Sequence, residues 1–502
     1  MNESYYIGLD NGGTSTKAVL FNKNGREIYS ASRMLNMICP APYQTERDLD
    51  ELLDKNLECI SEIVQNSNID SNLIKAVSIS GHGKGLYLWG KNNKPVRNGI
   101  VSTDNRAADI VKEWENDGIS SNVFNINYQK ILASQPVALL KWLKKYEFEN
   151  YNNIKWVFEC KDYIRFRLTN EAYAELTDYS GSNLLNLSTK SFDYELLKLY
   201  GIEEVFNALP PLKKSSDICG HITKEISKIT GLNENVVVAG GMFDIDSCCI
   251  AMNVLNSNNL CVIAGTWSIN EYISKKPVLN HTVMMNSYYC IDDYFLIEEC
   301  SPTSAGNLEW YIQNFLNNDL IKLNSGNKNI YKFCDELVES IDIEDSEGFF
   351  FPYIFGSNYN PKAKACFINL DSRDNIANTI RAVFEGIVFC HMVHIEKLLM
   401  NNDEIKTIRL AGGAANSKVW VQMFADVTNY PIEVVSVKEL GALGVAMCAA
   451  VACKDYENLM DASDNMTAIG EIVYPREEKV KIYNKKYKEY KQISKVLNTL
   501  WK

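Results

Sequence analysis

The stretch IGLDNGGTSTKAVLF, residues 7–21, decides the fold. Ile7 to Asp10 is a short apolar run ending in an acid, and Lys17 to Phe21 is a second apolar run. Between them Asn11, Gly12 and Gly13 tolerate positive φ, so the spacing predicts a β-hairpin. The chemistry of the tip suggests more than a turn. Unpaired backbone N–H groups beside the hydroxyls of Thr14, Ser15 and Thr16 would make a concave anion seat. Lys17 adds a cation, and Asp10 adds a carboxylate suited to a magnesium ion.

Outward from this hairpin, strands and helices alternate. Residues 76–80 read as a strand ending in Gly81-His82-Gly83, and 236–239 as one entering Gly240-Gly241. Residues 260–264 run into Gly265-Thr266, and 405–410 into Ala411-Gly412-Gly413. Residues 134–146 carry Val137, Leu140, Trp142 and Leu143 at amphipathic helical spacing. Strand, glycine turn, helix is the grammar of an α/β protein. Two halves echo one another, the first opened by Asp10 and its glycines, the second by Gly265-Thr266, with a boundary expected near 246–256. Residues 314–329 are Asn-rich and are expected to form a surface loop; the lysine-rich 479–491 is expected to be a solvated helix face. The chain has neither a G-x-x-x-x-G-K-[ST] loop nor a strand–G-x-G-x-x-G–helix fingerprint. Ligands of open α/β sheets sit at the carboxyl ends of strands, so separate glycine turns from two halves suit a single nucleotide in a cleft.

Composition narrows the function. A chain of 502 residues exceeds one core and implies two or three domains. Hydrophobic content of 46 % and a net charge of −12 suit a soluble globular protein without a nucleic-acid or anionic-membrane partner. No signal region is expected, and the apolar run 442–453 falls short of the ~20 residues that span a bilayer. Fourteen cysteines without a C-x-x-C suit reduced thiols in the cytoplasm, with Cys248-Cys249 packing on a helix.

GLDNGGTSTKA (8–18), GTW (265–267), AGGAANSKVWVQMFAD (411–426) and ELGALGVAMCAA (439–450) together resemble the FGGY family of carbohydrate kinases. The resemblance covers residues 5 to about 490. It implies an actin-like, ribonuclease H-like α/β fold in two domains, 1–249 and 250–502, with nucleotide and sugar in an interdomain cleft. It also implies ATP and Mg2+ as cofactors, a small sugar as substrate, a cytoplasmic location and a possible homodimer. Segments 78–107, 301–310 and 351–358 are most similar to the branch that acts on L-xylulose. The tryptophan that D-xylulose kinases carry two residues before the aspartate matching Asp104 is missing; Ser102 stands there. D-xylulose, D-ribulose and erythritol remain alternative substrates, and a non-catalytic nucleotide switch on the same fold is an alternative from another class.

The resemblance assigns roles residue by residue. Asp244 matches the catalytic base, and Asp10 the carboxylate that orients metal and γ-phosphate. Asn11, Gly12, Gly13, Thr14 and Lys17 would seat phosphates, with Gly265 and Thr266 approaching from the second domain. Gly306, Asn307, Trp310, Gly412, Gly413 and Asn416 would hold adenosine. His82, Gly83, Lys84, Asp104, Arg106 and Phe243 would bind the sugar. Asp246 reads as a helix cap or a hydrogen-bonding group. His391 and His394 share a helical face and read as packing rather than as metal ligands.

Overall fold

The computed structural model describes residues 3–316, 329–357, 360, 362–435 and 437–501. They form two compact units: unit 1 is Met1–Leu255, Ser274–Leu296 and Glu439–Thr467, and unit 2 is Asn256–Ile273, Ile297–Lys438 and Ala468–Lys502. The units are therefore not continuous in sequence, unlike the expected halves 1–249 and 250–502. Residues 317–328, most of the expected 314–329 loop, lie outside the described residues; Ile312–Leu316 before them are helical.

Unit 1 is built on a mixed sheet. β1 (Tyr5–Asn11), β2 (Ser15–Asn22) and β3 (Glu27–Met34) form an antiparallel meander. β4 (Ile74–Gly81) pairs parallel with β1. β5 (Ile218–His221), β6 (Val237–Ala239) and β7 (Met242–Phe243) complete it, β6 and β7 both parallel to β4, giving the order β5-β6-β4-β1-β2-β3. The expected hairpin is present, with Asp10 opposite Lys17 and Asn11 opposite Thr16. Its reason differs: none of Asn11, Gly12 and Gly13 has a positive φ.

Two helices seal the sheet. Leu49–Asn66 starts where the Asp48 side chain accepts from the N–H groups of Asp50 and Glu51, and buries Leu52, Leu53, Leu57, Ile60 and Ile63. Leu440–Ala452 is buried throughout Leu440–Ala450 and packs on β1 and β4. Its small residues set the distance. A Cβ on Gly8 would stand 2.0 Å from the Ala442 carbonyl oxygen, so β1 meets the helix backbone directly.

Unit 2 repeats the plan. β8 (Asn259–Ala264), β9 (Ser268–Ser274), β10 (Phe295–Ser301), β11 (Thr407–Ala411), β12 (Ile432–Val435) and β13 (Ile469–Val473) run in the order β10-β9-β8-β11-β12-β13. β8 is antiparallel to β9 and parallel to β11, as β1 is to β2 and β4. Helix Ile376–Leu399 is long and apolar enough to cross a membrane, and most of that stretch is buried; it outruns the segment 442–453 singled out from the sequence. Helix Glu477–Asn498 is not solely a solvated face. It buries Tyr483, Tyr487 and Tyr490, and its Lys486 donates to the Ser346 carbonyl at 2.6 Å and pairs with Glu385.

Candidate active site

In unit 1 the carboxyl ends of three neighbouring strands converge. Asp10 is the last residue but one of β1, opposite Ser80 of β4, and Phe243 ends β7 opposite Gly81. Asp244 follows as the first residue of helix Asp244–Ala251; Phe243 holds the cap position, so neither Asp244 nor Asp246 is the cap. The turn before it is fixed by Gly241, at φ 77°, where a Cβ would lie 2.1 Å from the Ile79 carbonyl oxygen. The Phe243 N–H donates to Thr177 Oγ1 at 3.0 Å, locking the strand end that presents Asp244.

The electrostatics of this rim are those of crowded acids. Burial raises the Asp10 carboxyl to about 6, Lys17 pulling it down and Glu439 pushing it up. Burial also holds Asp244 well above the ordinary carboxylate range, and the charges of Asp10 and Asp178 add to it. Lys17 does not stand free: its Nζ is 2.6 Å from Glu439 Oε2. Glu439 carries no signal of this role in the sequence, since its pairing needs the fold to bring residue 439 back to the first hairpin. Asp246 is fully buried beneath, one oxygen accepting from the Cys290 N–H at 3.1 Å.

Four of the six expected sugar residues gather beside Asp244. A Cβ on Gly83 would lie 2.4 Å from the Phe243 ring, and Lys84 Nζ stands 5.9 Å from that ring's centre. His82 is buried, its Nε2 2.8 Å from Tyr87 Oη. Burial, then the nearby Arg47 charge, push its imidazole down to about 3, so it is neutral. Asp104 and Arg106 are arranged otherwise. Asp104 is fully buried, and its oxygens accept from the Thr45 N–H at 2.7 Å and from the Arg106 guanidinium at 2.8–3.0 Å. Arg106 also reaches Glu46 at 2.8 Å. The pair pins segment 43–47 to segment 102–106 and offers no open acceptor.

Unit 2 contains a cavity of about 990 Å3 whose lining includes Gly265, Thr266, Gly306, Gly413 and Asn416. The other three expected adenosine residues do not line it. Asn307 is buried, with Nδ2 3.2 Å from the Ser304 carbonyl oxygen. Trp310 packs edge-on against Phe315. Gly412, at φ 88°, turns the chain with its Cβ position 2.7 Å from Ala264. The wall adds Tyr331 and Lys418, which the sequence reading did not single out. Gly13 and Gly265 share one trait: neither has a positive φ, and a Cβ on either would meet nothing within 4 Å. Among the described residues nothing demands glycine there, which is what a seat for an external group looks like. His391, as expected, is core: its ring nitrogens meet Asn270 Oδ1 at 2.8 Å and Ser304 Oγ at 2.8 Å, and burial pushes it down to about 3.

Residues 5–251 match the N-terminal domain of the FGGY family of carbohydrate kinases, and residues 260–453 its C-terminal domain. A probable L-xylulose kinase of Haemophilus influenzae is 33 % identical over 497 residues, covering 99 % of each chain. An L-xylulose/3-keto-L-gulonate kinase of Escherichia coli is 33 % identical over 491 residues, 97 % of this chain and 96 % of that one. A ligand-bound xylulose kinase structure from Lactobacillus acidophilus, 23 % identical, matches 99 % of both chains with a TM-score of 0.90, which shows the fold. With both domain models matched and relatives of this identity spanning its length, the chain belongs to the FGGY family of carbohydrate kinases: it is an ATP-dependent sugar kinase with the actin-like, ribonuclease H-like fold.

Proposed function

We propose that this kinase phosphorylates L-xylulose at its terminal O5. Asp244 accepts the O5 proton as the O5–phosphorus bond forms and the bond from the γ-phosphorus to the bridging oxygen breaks, releasing ADP. The observation that carries the chemistry is the carboxylate Asp244 at a strand end beside Asp10, held above the ordinary range by burial and by that neighbour's charge. L-xylulose is favoured by the two relatives named for it at 33 % identity and by Ser102 in place of tryptophan. On this reading the 12–14 and 265–266 turns seat phosphates, the unit 2 cavity takes adenosine, and His82, Gly83, Lys84 and Phe243 face the sugar. Two crowded carboxylates suit a divalent cation, so Asp10 would hold Mg2+, which offsets phosphate charge when bound. Fourteen free thiols suit the reducing cytoplasm.

The test is a coupled ADP-release assay over L-xylulose, D-xylulose, D-ribulose, erythritol and 3-keto-L-gulonate, the last because the E. coli relative is named for it. The highest kcat/KM is expected for L-xylulose. A higher value for any other member would overturn the substrate and leave the family intact.

A further inference from the structure

Arg47 has no part in the scheme above, yet it is among the largest fully buried side chains of the protein. It lies on a two-residue strand, Glu46–Arg47, that pairs with Gly99–Ile100. Its guanidinium donates to the carbonyl oxygen of Gly12 at 3.4 Å and to that of Gly13. Its Nε is buried and has no partner. Among the described residues it forms no ion pair: adjacent Glu46 is taken by Arg97 and Arg106, and Asp48 caps a helix. His82, which feels the Arg47 charge, is neutral. A buried cation without an anion is costly, and carbonyl dipoles offset only part of the cost.

The peptide plane says where the missing anion belongs. In a trans peptide the C=O and N–H point in opposite directions. Drawing the Gly12 and Gly13 carbonyls toward Arg47 turns the N–H groups of Gly13 and Thr14 away from it. Among the described residues no hydrogen bond uses either N–H, whereas the flanking Gly12 N–H donates to the Ser15 carbonyl at 3.1 Å. Two free amides side by side, backed by a fixed positive charge and floored by glycine, form an anion nest.

We infer that Arg47 is the positioning residue of this turn: it draws two carbonyls inward so that the Gly13 and Thr14 amides face the transferred phosphoryl group. The inference rests on the reading of residues 12–14 as a phosphate seat. It explains why a full charge is buried where a neutral side chain would fill the space at lower cost: the phosphate of bound ATP is its counter-charge.

The experiment compares binding of a non-hydrolysable ATP analogue with binding of adenosine, by calorimetry, in wild type, Arg47→Gln, Arg47→Lys and Thr14→Gly, alongside kcat and both KM values. Arg47→Gln is expected to shrink the preference for the triphosphate over adenosine by about 10- to 150-fold, the worth of a charge-assisted hydrogen bond. Adenosine affinity should stay at the wild-type value, because adenosine carries no phosphate for the turn to seat. Arg47→Lys, which keeps the charge but not the fork, should recover part of the preference. If Arg47→Gln does not fold, Arg47→Lys decides: a preference below wild type with adenosine binding intact supports the inference. A wild-type preference in any folded Arg47 variant overturns it. Thr14→Gly is the control for the turn itself, together with wild type. If wild type binds the analogue no better than adenosine, the phosphate seat is misread and the reading beneath the inference fails instead.

Discussion

Asp244 is half-buried at the rim and Asp104 is fully buried, and substitution should separate them. Asp244→Asn keeps shape and removes the base, so kcat should fall by about 10²–10⁴ with the KM for ATP unchanged, and near-full turnover would exclude the role. Because Asp244 is held above the ordinary carboxylate range, the acid limb of kcat/KM should lie well above pH 4, and it should move down in Asp10→Asn, where one of the charges raising it is gone. The sign for stability is the opposite. Asp10 has a folded-state pKa of about 6, raised above its unfolded value, so its cost to the fold is absent at low pH and grows as pH rises through that value. Asp104 differs. Its acceptors are consumed by Thr45 and Arg106, so Asp104→Ala leaves a buried guanidinium with Glu46 and the Trp142 ring face as its remaining partners. The expected result is a loss of about 3–5 kcal/mol of stability, read as a lower Tm, with every sugar affected alike. A wild-type Tm with a changed sugar preference would return Asp104 to the sugar site. The sequence showed a carboxylate at each position; it could not show that Arg106 turns back onto Asp104 or that Thr45, 59 residues away, donates to it.

At the scale of the element, the two strand-end turns test whether glycine serves the chain or a ligand. The hairpin was legible because apolar runs flanked two glycines. The reason for the glycines was not legible, since a positive φ and an open cradle call for the same residue. The structure separates them. Gly13→Ala and Gly265→Ala introduce a Cβ that meets nothing within 4 Å, at positions without a positive φ. Both should leave the Tm unchanged or raise stability by about 0.4–1 kcal/mol, while the KM for ATP rises. Gly412→Ala should do the reverse, losing stability first, because φ is 88° and Ala264 is 2.7 Å away. An unchanged KM in both cradle variants would mean that neither turn lies against the nucleotide.

Across the whole molecule, the alternation of strands and glycine turns announced two similar sheets, and both are present. What stayed hidden was the allocation of segment 439–467 to unit 1. An all-apolar helix carries no face that names its partner, and Leu440–Ala452 would suit either sheet by composition. Shape decides. A Cβ on Gly441 would stand 2.6 Å from Asp10 Oδ2, and one on Gly444 would stand 2.1 Å from the Ser247 carbonyl oxygen, so only a helix stripped of side chains there can seat on β1 and the Asp244–Ala251 helix. Burying Leu440, Leu443, Val445 and Met447 is worth roughly 1.5–3 kcal/mol each, together comparable with the roughly 5–15 kcal/mol net stability of a typical protein. A fragment ending at Leu255 should therefore lack a cooperative thermal transition and bind a hydrophobic dye. Adding a peptide of residues 439–467 should restore the transition, and the same peptide with Gly444→Leu should not. Cooperative melting of the fragment alone would show that the sheet is sealed without this helix.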